Sequence, residues 1–241
     1  MDAAVSSETI RQLTLGVGLR EGHDFQSFVT GRNAATVTTL LTVFDRTIAP
    51  LIFLWGGAGT GKTHLLEALC ARGGGFARRV VYVPMMQREG LEPGVLSGLE
   101  AADLVCVDDV HAAAGDSAWE EALFHLYNRL DAARVPLVVT AACPPLKAGW
   151  QLKDLESRLT SGMACELFPL NDDERGQVLR QNARARGFDF PDEAVRYVLH
   201  RELRDMHSLM AILDQLDTQS LAHQRKVTIP LVREVLSRLR E

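Results

Sequence analysis

Cysteine is scarce in this chain: there are four among 241 residues. Cys70, Cys106, Cys143 and Cys165 show no C-x-x-C spacing and no neighbouring histidine pair. A disulfide framework or a zinc site is therefore not expected, and the four read as buried thiols of a reducing cytoplasm. Long apolar runs are also missing. None approaches the roughly 20 residues that cross a bilayer, so no membrane partner is expected. The start, Met1 to Glu8, lacks the basic region and apolar stretch of a signal peptide. Basic charge is not in excess: 26 Lys and Arg stand against 31 Asp and Glu, a net charge of −5. From Leu170 onward acids and bases balance, so the deficit lies in the first 169 residues. No basic stripe is visible in either part, which removes the usual electrostatic drive toward DNA. There is no internal repeat and no low-complexity tract.

What is present is dominated by residues 56–63, Gly-Gly-Ala-Gly-Thr-Gly-Lys-Thr. They satisfy G-x-x-x-x-G-K-[ST] in full, between the apolar run Leu51–Trp55 and the helically spaced His64–Cys70. Gly56, Gly57, Gly59, Thr60 and Gly61 are expected to wrap a polyphosphate with their backbone N–H groups. The helix N-terminus behind them adds partial positive charge. Lys62 is placed to reach the β- and γ-phosphates, Thr63 to put its hydroxyl on Mg²⁺, and His64 opens the helix beside them. The expected ligand is thus a nucleoside triphosphate or its diphosphate, with Mg²⁺.

Four short runs rich in Val, Ile and Leu follow one another: Leu51–Trp55, Val80–Val83, Leu104–Val107 and Leu137–Thr140. Such runs suit strands buried on both faces of a parallel sheet. Helical segments lie between them. One precedes the first strand, over about Asn33–Asp45. The clearest covers Ala118–Ala133, where Ser117 and Glu120 form the pattern of a capping box and Trp119, Leu123, Leu126, Tyr127 and Leu130 share a face. Gly73–Gly75 reads as a loop before the second strand. After Leu170 the strand pattern stops. Helices are expected over Asp172–Arg186, Asp192–Arg201, Asp205–His223 and Pro230–Arg240. The fold class is therefore α/β, a parallel sheet core flanked by helices, with a smaller all-helical domain at the C-terminal side. The expected divisions are a weakly structured segment over residues 1–22, the core over 23–169 and the helical domain over 170–241.

The third run ends in Asp108-Asp109. Paired acids at a strand end downstream of a phosphate loop have a specific use. Asp108 is placed to hold Mg²⁺ and Asp109 to orient or deprotonate the attacking water. Thr140, at the end of the fourth run, is the candidate polar group sensing the γ-phosphate; a plain strand end is the other reading.

The phosphate loop with His64-Leu-Leu66, Val107–Val110 and Glu156-Ser-Arg-Leu159 resembles the DnaA/Hda family of AAA+ proteins. Phe25–Phe28 with Gly31 and Asn33, Leu126–Arg129, Arg186-Gly-Phe188, Leu213–Asp217 and Gln224–Pro230 extend the resemblance from about residue 12 to the end. It lies nearer the Hda-type regulatory inactivators than the initiator DnaA, which carries a DNA-binding domain after its AAA+ module. This sequence ends at Glu241, after the lid helices. The resemblance therefore implies a protein that meets DNA only indirectly.

The resemblance also assigns roles, and it makes the expected nucleotide ATP or ADP. Gln12-Leu13-Thr14-Leu15 is similar to the peptide that docks Hda-type proteins on the DNA polymerase III sliding clamp, with Gly16 where a bulkier residue often stands. Arg158 matches the arginine finger, which acts on a neighbour's nucleotide, and Arg204 the lid's sensor arginine. Ala142-Cys143 departs from the Asp-Arg common in DnaA, implying weakened sensing of this chain's own nucleotide. The implied activity is negative regulation of replication initiation: hydrolysis of DnaA-bound ATP, stimulated in the bacterial cytoplasm at the replisome, with weak intrinsic ATPase and possible self-association. Two other readings stay open. One is a self-sufficient ATPase of helicase-loader or initiator type. The other is a non-catalytic adaptor ordered by nucleotide.

Overall fold

The computed structural model describes residues 23–45, 51–88, 90–200, 205–223 and 226–238. The chain forms two compact units. The first is built on Asn33–Gly57 and Gly61–Leu167; the second takes Gln26–Arg32, Ala58–Thr60 and the chain from Phe168 onward.

The first unit holds a five-stranded sheet: β1 (Leu51–Trp55), β2 (Val80–Pro84), β3 (Leu104–Asp108), β4 (Leu137–Ala141) and β5 (Met163–Glu166). The order is β2-β3-β4-β1-β5, and every pairing is parallel. The four expected strands are β1 to β4, of which β3, β4 and β1 are interior and β2 forms one edge. β5 was not anticipated. Its Met163-Ala-Cys-Glu166 is mostly exposed and lies on the sheet edge, so it lacks the apolar run that marks a strand buried on both faces. The register sets Leu54 beside Thr140 and Trp55 beside Ala141, and Pro84 beside Asp108. The C-terminal ends of four strands thus line up, where ligands collect in open parallel sheets.

The helices of this unit are α1 (Ala34–Leu41), α2 (Lys62–Gly75), α3 (Ser117–Ala133) and α4 (Lys153–Ser161). α1 is shorter than expected, and a 3₁₀ turn over Val43–Asp45 replaces its last part. The hydroxyls of Thr38 and Thr39 donate to the carbonyls of Ala34 and Ala35, a local alternative to helical pairing. α2 is longer than expected. It runs through Gly73–Gly75, which is therefore helix and not loop. A Cβ on Gly73 would stand 2.3 Å from Val80 Cγ2, so glycine lets α2 lie against β2 at that point.

The capping box expected from Ser117 and Glu120 does not form. Ser117 is already helical, and Asp116 is the N-cap, accepting from Trp119 N–H at 3.3 Å. Glu120 is fully buried and faces elsewhere. Trp119, Leu123, Leu126, Tyr127 and Leu130 join the core with Phe53, Val105 and Val139. Of the four thiols, Cys70 and Cys106 are buried as expected, whereas Cys143 and Cys165 are partly exposed. Burial raises the Cys106 thiol well above its ordinary value, with its hydrogen bond to Cys70 adding to the shift.

The second unit contains α5 (Asp172–Ala185), α6 (Asp192–Leu199), α7 (Met206–His223) and α8 (Ile229–Arg238). Each lies where the periodicity placed it, within two residues at most ends. Asn171 and Glu174 form a full capping box at the start of α5. Leu179, Val195, Val198, Ile212, Leu213 and Val232 are among the buried residues of its own apolar core. No helix of the described residues is long and apolar enough to cross a membrane.

Candidate nucleotide site

The loop between β1 and α2 is shaped by glycine where the backbone demands it. Gly59 has φ +73° and Gly61, the N-cap of α2, φ +91°. An L-residue with a Cβ would be strained at either point. Gly57 to Gly59 are exposed, while Gly56 and Thr60 are buried. Gly56 N–H donates to Ala141 O at 3.2 Å, which ties the loop to the end of β4.

Lys62 and Thr63 occupy the first turn of α2 and are half-buried. Lys62 Nζ donates to Gly56 O at 2.9 Å and Gly57 O at 3.0 Å, so the ammonium is folded over the loop. Thr63 Oγ1 donates to Asp108 Oδ2 at 2.7 Å. Two hard oxygen donors, a hydroxyl and a carboxylate, are thereby brought together from α2 and β3. Thr63 and Asp108 fit a magnesium ion, which keeps several waters and needs only one or two protein oxygens.

Asp108 has 4% of its surface exposed, and three hydroxyls meet its carboxylate. Thr63 and Tyr82, the latter at 2.8 Å, donate to one oxygen. Thr140 Oγ1 donates to the other. A buried carboxylate is tolerated when its lone pairs are filled in this way. Burial raises the Tyr82 phenol far above its ordinary value, and the Asp108 carboxylate adds to the shift, so Tyr82 is a donor throughout the working range. Tyr82 was not among the expected site residues. Its one signal in the sequence is a lone phenol inside the valine run Val80–Val83.

Thr140 is fully buried. Its hydroxyl also accepts from Asp109 N–H at 2.8 Å. The side chain expected to sense the γ-phosphate is thus engaged by the acid pair and sets its geometry. Asp109 itself sits in the left-handed region at φ +51°, which costs an L-residue on the order of 1 kcal/mol. Burial, then the neighbouring Asp108 charge, raises the Asp109 carboxyl above its ordinary value, while His111 and Lys62 oppose the shift. His111 Nδ1 lies 3.9 Å from Asp109 Oδ1. The half-exposed Asp109 is the acid of the pair that remains able to meet water.

His64 is engaged by residues 23 and 24. Its Nε2 donates to Asp24 O at 2.9 Å, and its ring stacks on His23 at 4.3 Å between centroids. His23 pairs in turn with the buried Glu67. Burial, first, and the His23 charge lower the His64 imidazole below its ordinary value.

Arg158 lies apart from this cluster, on α4. It is exposed, and its guanidinium carbon stands 5.6 Å from the centre of the Tyr127 ring. Gln12, Leu13, Leu15 and Arg204 lie outside the described residues.

Two family models match the chain. The lid domain of Hda matches residues 172–236, and the bacterial DnaA ATPase domain matches residues 92–167. Among solved structures, domain III of the replication initiation protein DnaA from Thermotoga maritima superposes with a TM-score of 0.79 at 21% identity, over 92% of this chain and 98% of that one. AMPPCP-bound DnaA from Aquifex aeolicus gives 0.70 at 20% identity, over 83% of this chain and 66% of that one. The RuvB Holliday junction branch migration motor of Thermotoga maritima gives 0.69 at 14% identity, over 91% of this chain and 73% of that one. The likeness to RuvB and to DnaA alike establishes the AAA+ architecture, a parallel α/β core with a helical lid.

Proposed function

Because the chain is a DnaA/Hda-type AAA+ protein, we propose that it is a nucleotide-bound negative regulator of replication initiation, which stimulates hydrolysis of ATP held by DnaA. The observation that carries this reading is the placement of Arg158. An arginine suited to stabilising a transferring phosphoryl group stands exposed on α4, stacked on a ring and unburied by its own unit. That disposition fits a group offered to a second molecule.

The chain's own site holds ATP or ADP in this reading, as the AMPPCP-bound DnaA structures do with their ligand. The loop amides and Lys62 bind the phosphates. Thr63 and Asp108 hold Mg²⁺, which neutralises charge on the phosphate oxygens when bound. Asp109 orients a water. Thr140 and Tyr82 keep Asp108 in place, and Arg204 reports on the nucleotide from the lid. Intrinsic turnover is weak, since Ala142-Cys143 offers little at the end of β4. The protein works in the bacterial cytoplasm, held near DNA by the sliding clamp. Gln12, Leu13 and Leu15 engage the clamp through a polar and an apolar pocket.

The test is the release of phosphate from ATP-loaded DnaA in the presence of this protein, clamp and DNA, each omitted in turn. Stimulation that needs all three supports the reading. Steady turnover by this protein alone would favour a self-sufficient motor instead. Docking is tested separately: Gln12→Ala with Leu13→Ala should abolish co-elution with the clamp and leave nucleotide binding intact, and persistent co-elution excludes the tail as the docking element.

A further inference from the structure

We infer that Tyr127 is a positioning residue for Arg158, and that Glu120, two turns earlier on α3, fixes the start of the helix that carries it; the inference rests on the finger role proposed above. Residues 120 and 127 are seven apart and fall on one face of α3. Both are buried, Glu120 at 0% exposure and Tyr127 at 7%. Both act on the same neighbour, α4.

α4 has no cap of its own. Leu152 is its N-cap and offers no side-chain acceptor. The acceptor comes from α3. Glu120 Oε2 receives Leu152 N–H at 2.7 Å and Gln151 N–H at 3.0 Å. Its Oε1 receives Gly115 N–H at 2.7 Å. A carboxylate at a helix N-terminus satisfies orphaned donors and complements the helix dipole. Here it also fixes the start of α4 against α3. Downstream, Leu155 and Leu159 are buried at 0% and 2%, one turn before and one residue after Arg158. These two side chains, with the Glu120 contacts, set which face of α4 is buried. Arg158 is therefore presented at a set place on the surface.

The remaining freedom is in the side chain. A solvated arginine samples many rotamers, and ordering it on encounter weakens its effect. The Tyr127 ring, 5.6 Å from the guanidinium carbon, supplies an aromatic face that narrows those rotamers beforehand. An exposed cation over an aromatic face is held by about twofold to fivefold relative to a ring-free site. This is the expected size of the effect on the maximal stimulated rate.

The experiment compares Tyr127→Phe, Tyr127→Leu and Tyr127→Met in two readouts. The first is the guanidinium NMR signal of Arg158, assigned by its loss in Arg158→Ala. The second is maximal stimulation of DnaA ATP hydrolysis, with nucleotide affinity measured alongside to report an intact fold. Tyr127→Phe should leave both readouts near wild type. The Leu and Met variants should shift the Arg158 signal toward that of free arginine and lower the maximal rate about twofold to fivefold, at unchanged nucleotide affinity. An Arg158 signal indifferent to removal of the ring overturns the inference, whatever the rates are. A signal that moves as predicted while Arg158→Ala still stimulates fully leaves the stacking in place and overturns the finger reading beneath it.

Discussion

Asp108 and Arg158 belong to the same unit and both carry charge, yet they are housed in opposite ways. Asp108 is withdrawn to the end of β3 and ringed by the hydroxyls of Thr63, Tyr82 and Thr140. Arg158 stands exposed on α4, with its helix anchored and its side chain resting on one ring. The first arrangement suits a group that must hold its place around a small ligand. The second suits a group that a large partner must reach. Charged side chains inside a protein need every lone pair or proton met. A surface arginine needs only a direction.

The sharpest way to separate the two places is to remove one charge from each. Arg158→Ala should lower stimulation of DnaA hydrolysis by about a thousandfold, the lower end of what arginine fingers contribute. Its nucleotide affinity, measured with a fluorescent ATP analogue, should not change. Lys62→Ala should do the reverse at first. Loss of a charged hydrogen bond to phosphate weakens binding by about tenfold to a hundredfold, read in the same titration. Matching losses in both assays from both variants would erase the distinction between the places.

A smaller effect tests the ring of hydroxyls. Thr140→Val keeps the side-chain shape and deletes the hydroxyl that joins Asp108 to Asp109 N–H. It leaves a buried carboxylate oxygen and a backbone donor short of partners, costing about 1–3 kcal/mol in urea unfolding. An unchanged midpoint would mean that the acid pair is not braced through β4.

The least effect concerns pH. The Asp109 carboxyl is raised in the folded chain above the ordinary 3.8. The protonated form is thus favoured by folding. Below 3.8 the group contributes nothing, and as pH rises from there through the raised value, ionisation removes stability. Asp109→Asn should therefore be more stable than wild type above that window, with the difference shrinking as pH falls. Thermal melts of both proteins from about pH 7 down to about pH 3.5 measure it, and a difference independent of pH contradicts the raised carboxyl.

Much of this was readable from residue order. A glycine-rich loop between an apolar strand and a helix has few other uses, and the lid helices declared themselves by apolar spacing. β5 did not, because an exposed edge strand has no apolar alternation to detect. The cap of α3 was misplaced by one residue, since Asp116 and Ser117 are both good caps and only geometry decides between them. Glu120 matched a capping box in sequence, yet its carboxylate serves residues 31 and 32 positions later. Tyr82 and Thr140 looked like strand filler and a sensor. Their hydrogen bonds to one buried acid depend on parallel register between strands far apart in the chain. Long-range pairing of polar atoms leaves no local pattern.

The central claim is that the hydrolysis which matters takes place on the partner's nucleotide. It is tested most directly by loading DnaA with γ-labelled ATP and this protein with AMPPCP, which it cannot hydrolyse, then following one turnover with clamp and DNA present. The account predicts release of label at the rate seen when this protein carries ATP or ADP. Loss of release with AMPPCP in this chain would place the decisive hydrolysis in its own loop and contradict the account.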